Sequence, residues 1–302
     1  MFFGTPDWAV PSLRALVSTG ADVAAVVTNP DRPAGRGYEL SPPPVKLAAL
    51  ELGLEVVQPK SARDPEFEAW LRGAAPDVCA VVAYGKILPR SLLEVPKWGF
   101  VNLHFSLLPK YRGAAPVQRA VMEGCDRTGV AIMVLTEGMD EGPVLSMAEV
   151  SIEPEETAGD LGERLARIGA PLLAETVESY LAGRLEPREQ DHDAATYAPK
   201  ITSDEARIDW TRRAGEIVSQ VRGLNPAPGA WTIAGDVRLK VHRASVTKGS
   251  GAPGAVLDPQ TLVVAAGDGA VRLDVVQPAG KKQMEGSMFS RGARLPNDAR
   301  LG

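Results

Sequence analysis

The sequence predicts an α/β fold: an N-terminal doubly wound, Rossmann-like domain followed by a small C-terminal β-barrel of the OB type. Three observations predict it. Strand-like and helix-like stretches alternate as far as Leu181, the pattern of βα units laid on a sheet. Strands such as Asp22–Thr28 (DVAAVVT) and Asp77–Ala83 (DVCAVVA) are continuously apolar, as expected of strands covered on both faces in a parallel sheet. Beyond Ser203 the texture changes to short β-like runs separated by Gly and Pro, which is the texture of a small barrel. A chain of 302 residues is long for one core, so two domains are expected. Their bounds read as 1–183 and 203–302, with a linker at 184–202.

The elements follow in order. Met1–Phe3 reads as a strand leading into the turn Gly4-Thr5-Pro6-Asp7, with Pro at a helix start. Trp8, Val10, Leu13 and Leu16 form the apolar stripe of the first helix, at helical spacing. After Asp22–Thr28 comes a long loop, Asn29–Pro44, holding five prolines, two glycines and two arginines. A loop of that length is usually functional or disordered. Val45–Leu52 and Pro65–Arg72 read as helices, with a short strand at Glu55–Gln58 between them. After Asp77–Ala83 come the Tyr84–Pro89 loop and a short helix, Arg90–Leu93. Phe100–Phe105 is then a strand that breaks into a Pro- and Gly-rich loop ending at Pro116. Val117–Glu123 is a helix, Gly129–Leu135 and Pro143–Val150 are strands, and Leu161–Leu181 is one long amphipathic helix. In the second domain a helix at Arg212–Val221 precedes five short strands: Ala230–Ile233, Val237–Ala244, Gly254–Leu257, Leu262–Ala265 and Val271–Gln277.

Composition narrows the possibilities. Hydrophobic content of 44% and charged content of 24% are those of an ordinary globular protein. No apolar run reaches the roughly 18 residues of a membrane span, and the N-terminus lacks the features of a signal peptide. Cys79 and Cys125 lie far apart without metal-type spacing, which fits reduced cytoplasmic thiols. The net charge of −5 hides an asymmetry: from Ser203 onward 14 Lys+Arg face 10 Asp+Glu. A basic C-terminal part on an acidic body is compatible with a polyanion held at one end; chance would account for so modest an excess as well.

Several chemistries are excluded by missing motifs. Gly4-Thr5-Pro6 opens the first turn without the further glycines of a dinucleotide fingerprint. There is no phosphate-binding loop motif, no H-E-x-x-H, no Cys/His cluster and no G-x-S-x-G elbow. What remains is Asn102-x-His104 and one acid framed by glycines, Asp140 in Gly138-Met139-Asp140-Glu141-Gly142. In a strand Asn102 and His104 point to the same side. An Asn and a His together can donate hydrogen bonds to a developing oxyanion, and a nearby carboxylate can orient the imidazole or relay a proton. The trio has no nucleophile, so it suits direct attack by a substrate amine on an acyl-type carbon. A histidine beside Asn on a strand is also a common structural residue, and a Gly-flanked Asp a common turn former.

At these residues the chain resembles the folate-dependent formyltransferases. The matching run is Asn102-x-His104-x-Ser106-Leu107-Leu108-Pro109, then Tyr111-Arg112-Gly113-Ala114-Ala115-Pro116, with Asp140 later. Gly4–Asp7, Pro30–Gly37, Tyr197–Ile201 with Glu205–Trp210, and Pro278–Lys282 resemble the members that act on methionyl-tRNA, so the likeness spans the whole chain. The resemblance implies an N-terminal formyltransferase domain that binds 10-formyltetrahydrofolate at Ser106, Leu107, Leu108 and Pro109, with no metal. It implies Asn102, His104 and Asp140 as catalytic residues, with Asn102 and protonated His104 stabilising the oxyanion while Asp140 holds His104 and helps proton movement. The amine would be that of methionine on initiator tRNA. Arg36 would touch the acceptor end of the tRNA, and the C-terminal barrel would hold the tRNA body by its phosphates. A cytoplasmic monomer without membrane contact is expected. Relatives often carry lysines after Gly37; here Tyr38 and Glu39 follow, so Arg36 is expected to carry more of that contact. Relatives usually also have a few residues ahead of the Phe-Phe-Gly-Thr-Pro segment, so the first strand is expected to be short. Two other readings remain open at this point: formylation of an amino sugar nucleotide, and a non-catalytic RNA-binding relative.

Overall fold

The computed structural model describes residues 1–34, 39–293, 295–296 and 298–302. Arg36, the expected tRNA contact, lies outside the described residues. In chain order the first elements are β1 (Phe2–Gly4), α1 (Val10–Ser18), β2 (Val26–Val27), β3 (Arg32–Ala34), β4 (Glu39–Ser41), α2 (Pro44–Glu51) and β5 (Val56–Val57). Next are α3 (Pro65–Ala74), β6 (Cys79–Val82), α4 (Arg90–Leu93), β7 (Phe100–His104), α5 (Pro116–Met122), β8 (Arg127–Val134), β9 (Val144–Ser151) and α6 (Ala158–Leu181). The last are α7 (Ala214–Gly223), β10 (Ala230–Ala234), β11 (Val237–Thr247), β12 (Val256–Asp258), β13 (Val263–Ala265), β14 (Ala270–Pro278), β15 (Met284–Glu285) and α8 (Gly286–Ala293).

The chain divides into two compact units. The first holds Met1–Gly113, Thr128–Val150 and Gly162–Tyr197; the second holds Ala114–Arg127, Ser151–Leu161 and Ala198–Gly302.

The first unit is built on a seven-stranded sheet in the order β5-β2-β1-β6-β7-β8-β9. Strands β5 through β7 in that order are parallel. Strand β8 runs antiparallel to β7, Val101 opposite Val134 and His104 opposite Ala131. Gly129–Leu135 reads as a strand, and β8 is buried from Thr128 to Met133. Covering on both faces writes the apolar run, whichever way the strand points, so direction was not legible. The core around β1 joins Phe3, Phe67, Leu71, Tyr84 and Phe100. Phe3 meets Phe67, Tyr84 and Phe100 edge to face at 5.2–6.4 Å between ring centres, the favoured geometry for aromatic quadrupoles.

Helix α6 presses on the back of this sheet through small residues. A Cβ at Gly169 would lie 2.8 Å from Leu103 Cδ1, and one at Gly162 would lie 2.0 Å from the Trp8 indole. Leu103 therefore faces α6, and Asn102 and His104, its neighbours in β7, face the other side.

The long 29–44 loop is partly structured. Strands β3 and β4 pair antiparallel, Arg32 with Ser41 and Ala34 with Glu39. Its base is pinned by Asp31, which accepts from Lys46 Nζ at 2.8 Å and from Gln58 Nε2 at 2.8 Å. Those donors, Gln58 foremost, hold the Asp31 carboxyl below its usual range.

The second unit is an antiparallel half-barrel, β10-β11-β14-β13-β12, with β15 paired to β14. Its two edges are partly covered by the chain's last residues: Ala234 bridges Leu301, and Ala255 bridges Arg300, which leaves less backbone unpaired at the rim. Ile208, Trp210, Ile217, Val241, Val264, Leu273 and Phe289 are among its buried core residues. Helix α5 belongs to this unit and lies against α7; a Cβ at Gly223 would come within 2.4 Å of Met122 Cγ. Strand β15 and helix α8 had no counterpart in the sequence reading. Two glycines in eight residues of α8 suppress the helical signal.

Candidate active site

Strand β7 delivers the site. It is buried at Phe100, Val101, Leu103 and His104 and half-buried at Asn102. The chain then turns sharply. Ser106, buried, donates its hydroxyl to the Lys110 carbonyl at 2.6 Å, and Leu108 packs on Ala131 and Met133 of β8. The Leu108–Pro109 peptide bond is cis. Tyr111 follows at φ +58°, in the left-handed region that bulky residues seldom enter. These side chains hold the turn, with Ser106 and Leu108 facing inward.

Asp140 comes from the loop between β8 and β9. Gly142 is there because a Cβ would lie 1.9 Å from the Val134 carbonyl oxygen. Asp140 itself sits at φ +49°, which Asp tolerates better than most residues. Its Oδ2 accepts the Gly113 N–H at 2.8 Å, so two loops distant in sequence are tied at the carboxylate. The same Oδ2 lies 3.6 Å from His104 Nδ1. Nε2 of His104 donates to the Tyr111 carbonyl at 2.9 Å, which fixes the ring, now only 5% exposed. A separation of 3.6 Å is too long for a hydrogen bond. Nδ1 is therefore beside the carboxylate yet uncommitted. Among the described residues the Asn102 side-chain amide has no hydrogen-bond partner, and it stands on the same side of β7 as His104. An oxygen atom arriving at this point meets the Asn102 amide donor, and a second donor at His104 Nδ1 when the ring carries both protons, since Nε2–H is already given to Tyr111.

Around the trio is a layer that the sequence reading did not identify. Arg112 is 2% exposed. Its Nε and Nη2 donate to Gln190 Oε1 at 3.1 and 2.8 Å, and Nη2 lies 3.3 Å from His192 Nδ1. Gln190 Nε2 donates to the carbonyls of Asp140 at 2.9 Å and Gly142 at 2.6 Å. Gln190 and His192 belong to the stretch read as a linker. That stretch also pairs Arg188 with Val144 and gives Thr196 to Tyr111 and Arg112. No local pattern announces such contacts, because their partners are backbone groups tens of residues away.

At the carboxyl ends of β1, β2 and β6, Asn29 Nδ2 donates to Thr5 Oγ1 at 2.9 Å and to the Tyr84 carbonyl at 2.8 Å. This knits the turns after these strands into one floor, as expected where ligands enter an open α/β sheet. Cys79 takes no part: it is buried in β6, and burial pushes its thiol to about 12. No group of metal-ligating side chains is found among the described residues.

The structure brings His104 and Asp140 together, places Asn102 beside them by strand parity, and sets Ser106–Pro109 immediately after them. Comparison with known proteins gives this geometry its context. A family described as formyl transferase matches residues 1–177, and its C-terminal domain matches residues 200–294. A methionyl-tRNA formyltransferase of Myxococcus xanthus is 48% identical over 98% of this chain and 95% of its own length. One from Streptomyces griseus is 47% identical over 100% and 99%. Among solved structures, a sugar 3N-formyl transferase, WlaRD, superposes with a TM-score of 0.69 at 17% identity, covering 93% of this chain and 97% of that one. A methionyl-tRNA formyltransferase from Clostridium thermocellum gives 0.58 at 17% identity, over 82% and 92%; both likenesses are of fold. By these matches the chain belongs to the formyl transferase family, in its methionyl-tRNA formyltransferase branch.

Proposed function

We propose that this protein transfers the formyl group of 10-formyltetrahydrofolate to the amino group of methionine esterified to initiator tRNA. One observation carries the reading most: a half-buried, unengaged amide at Asn102 stands beside an uncommitted imidazole nitrogen, itself 3.6 Å from the Asp140 carboxylate. That donor set fits a carbonyl-type oxygen. The bound cosubstrate supplies a formyl carbon open to attack by an amine, so no enzyme nucleophile is required.

Asn102 Nδ2 and His104 Nδ1–H donate to the formyl oxygen as negative charge gathers there, the place where preorganised donors contribute most. Asp140 Oδ2, held by the Gly113 N–H, keeps the charged imidazole oriented. Its Oδ1 has no hydrogen-bond partner among the described residues, which leaves it free to hold a water that takes the proton of the attacking amine and delivers one to N10 of the folate as the bond from the formyl carbon to N10 breaks. Ser106, Leu107, Leu108 and Pro109 offer backbone edges to the folate. Arg36 contacts the acceptor end of the tRNA, and the second unit holds the tRNA body by its phosphates. Support for the last role lies in a cleft lined by Trp231, Arg238 and Lys240. There the Arg238 guanidinium lies 4.0 Å from the Trp231 ring centre. The same reading places the protein in the cytoplasm as a monomer.

The test is one assay with 10-formyltetrahydrofolate and three acceptors: initiator Met-tRNA, elongator Met-tRNA and an amino sugar nucleotide. Formylation of initiator Met-tRNA well ahead of the other two is the expected outcome. Transfer to the sugar nucleotide with none to either tRNA overturns the reading.

A further inference from the structure

We infer that Gln190 is a positioning residue for formyl transfer, acting through Asp140; this rests on the functional reading above. Gln190 lies in the 188–197 stretch and is buried. Its amide is satisfied on both sides in a way that leaves no freedom. Oε1 faces two guanidinium donors of Arg112, so it must be the oxygen; Nε2 faces two carbonyls, Asp140 and Gly142, so it must be the nitrogen. Only an uncharged amide meets both demands. A carboxylate satisfies Arg112 but presents acceptors to two carbonyl oxygens. A hydrocarbon satisfies neither.

The two carbonyls bracket the residue that matters. Asp140 sits in the left-handed region at φ +49°, a conformation that persists only where its surroundings impose it. Gln190 clamps the backbone on its carbonyl side and again two residues on, while the Gly113 N–H clamps the carboxylate itself. Arg112, adjacent in sequence to Tyr111, whose carbonyl fixes His104, is tied to the same amide. One side chain thus registers the loop carrying Asp140 against the loop that seats His104. Loss of that registration shifts the carboxylate relative to the imidazole, and a misplacement of about 1 Å in such a constellation costs on the order of a hundredfold in rate.

The experiment uses the full-length protein and three variants, Gln190→Glu, Asp140→Asn and the double substitution. Gln190→Glu keeps a partner for the buried Arg112, so the protein still folds, with a melting temperature lowered by the two carbonyls that lose their donor, while kcat for Met-tRNA formylation falls about ten- to a hundredfold with both KM values little changed. In the Asp140→Asn background Gln190→Glu lowers kcat no further, because the group it positions is already lost. Amide exchange at Gly113, whose partner is Asp140 Oδ2, speeds up in Gln190→Glu and needs no substrate to be read. Wild-type kcat and unchanged Gly113 exchange in Gln190→Glu overturn the inference, as does a full additional loss in the double variant. A wild-type protein that formylates no Met-tRNA overturns the functional reading instead, and the Gly113 exchange then decides on the positioning role alone.

Discussion

At the scale of single residues, the site divides into side chains that the sequence exposes and side chains that it hides. Asn102 and His104 are legible because strand parity puts them on one side, and Asp140 because glycines frame it. Gln190 is hidden, since its bonds reach carbonyls 50 and 48 positions away. Arg112 stands in the run that carries the resemblance, but its place is hidden: it is buried and donates to the Gln190 amide oxygen 78 positions away. The unengaged amide of Asn102 yields a sharp expectation. Truncating it removes a donor without orphaning any described partner, so stability should hold while transition-state stabilisation is lost. Asn102→Ala is expected to lower kcat by about a hundred- to a thousandfold, the usual loss for one oxyanion donor. Its thermal midpoint should match that of the wild type. Steady-state formylation and a melt on the same preparation check this, and a kcat within threefold of wild type removes Asn102 from the proposed chemistry.

At the scale of elements, existence was more legible than extent or direction. Every strand expected in the first unit is present, but β2, inside the sheet, and β5, at its edge, are only two residues long. The direction of β8 escaped the reading for the reason given above. The close approach of α6 also escaped it, since a glycine in a helix carries no label for what lies opposite. That approach is testable at Gly162, where a Cβ would lie 2.0 Å from the rigid Trp8 indole. Trp8 in turn meets Phe105 at 5.6 Å between ring centres, just past the strand that bears His104. Gly162→Ala must displace the indole or the helix, and overpacking of this kind costs about 1–3 kcal/mol. The expected outcome is a lower denaturant midpoint together with reduced kcat, because Phe105 transmits the shift to the end of β7. Unchanged midpoint and activity would show that the helix yields freely at this point.

At the scale of the whole molecule, the change of texture near Ser203 marked a second unit correctly in kind, and its antiparallel strands follow the expected order. The unit also recruits Ala114–Arg127 and Ser151–Leu161, which no composition shift announces, because both lie within the alternating strand and helix stretches that precede Leu181. One charged pair fastens the first of these segments. Arg119 Nη1 on α5 lies 2.6 Å from Glu205 Oε1, and Glu205 also caps Thr202 through its backbone N–H. Hydrogen bonds from Arg119, then from Thr202, hold the Glu205 carboxyl down from its ordinary 4.5 to about 2. A carboxylate whose folded value is depressed stabilises the fold fully above its unfolded value, and that stabilisation disappears as pH falls through the folded value. The pair is partly open to solvent, so salt screens part of the effect. Glu205→Gln should therefore melt below the wild type near neutral pH, the gap narrowing as pH drops from 4.5 toward 2 and shrinking in high salt. Paired melts across that range are the measurement. A gap that stays constant down to the acid end would mean that Glu205 contributes through packing, and that the tie between α5 and the rest of the second unit is not electrostatic.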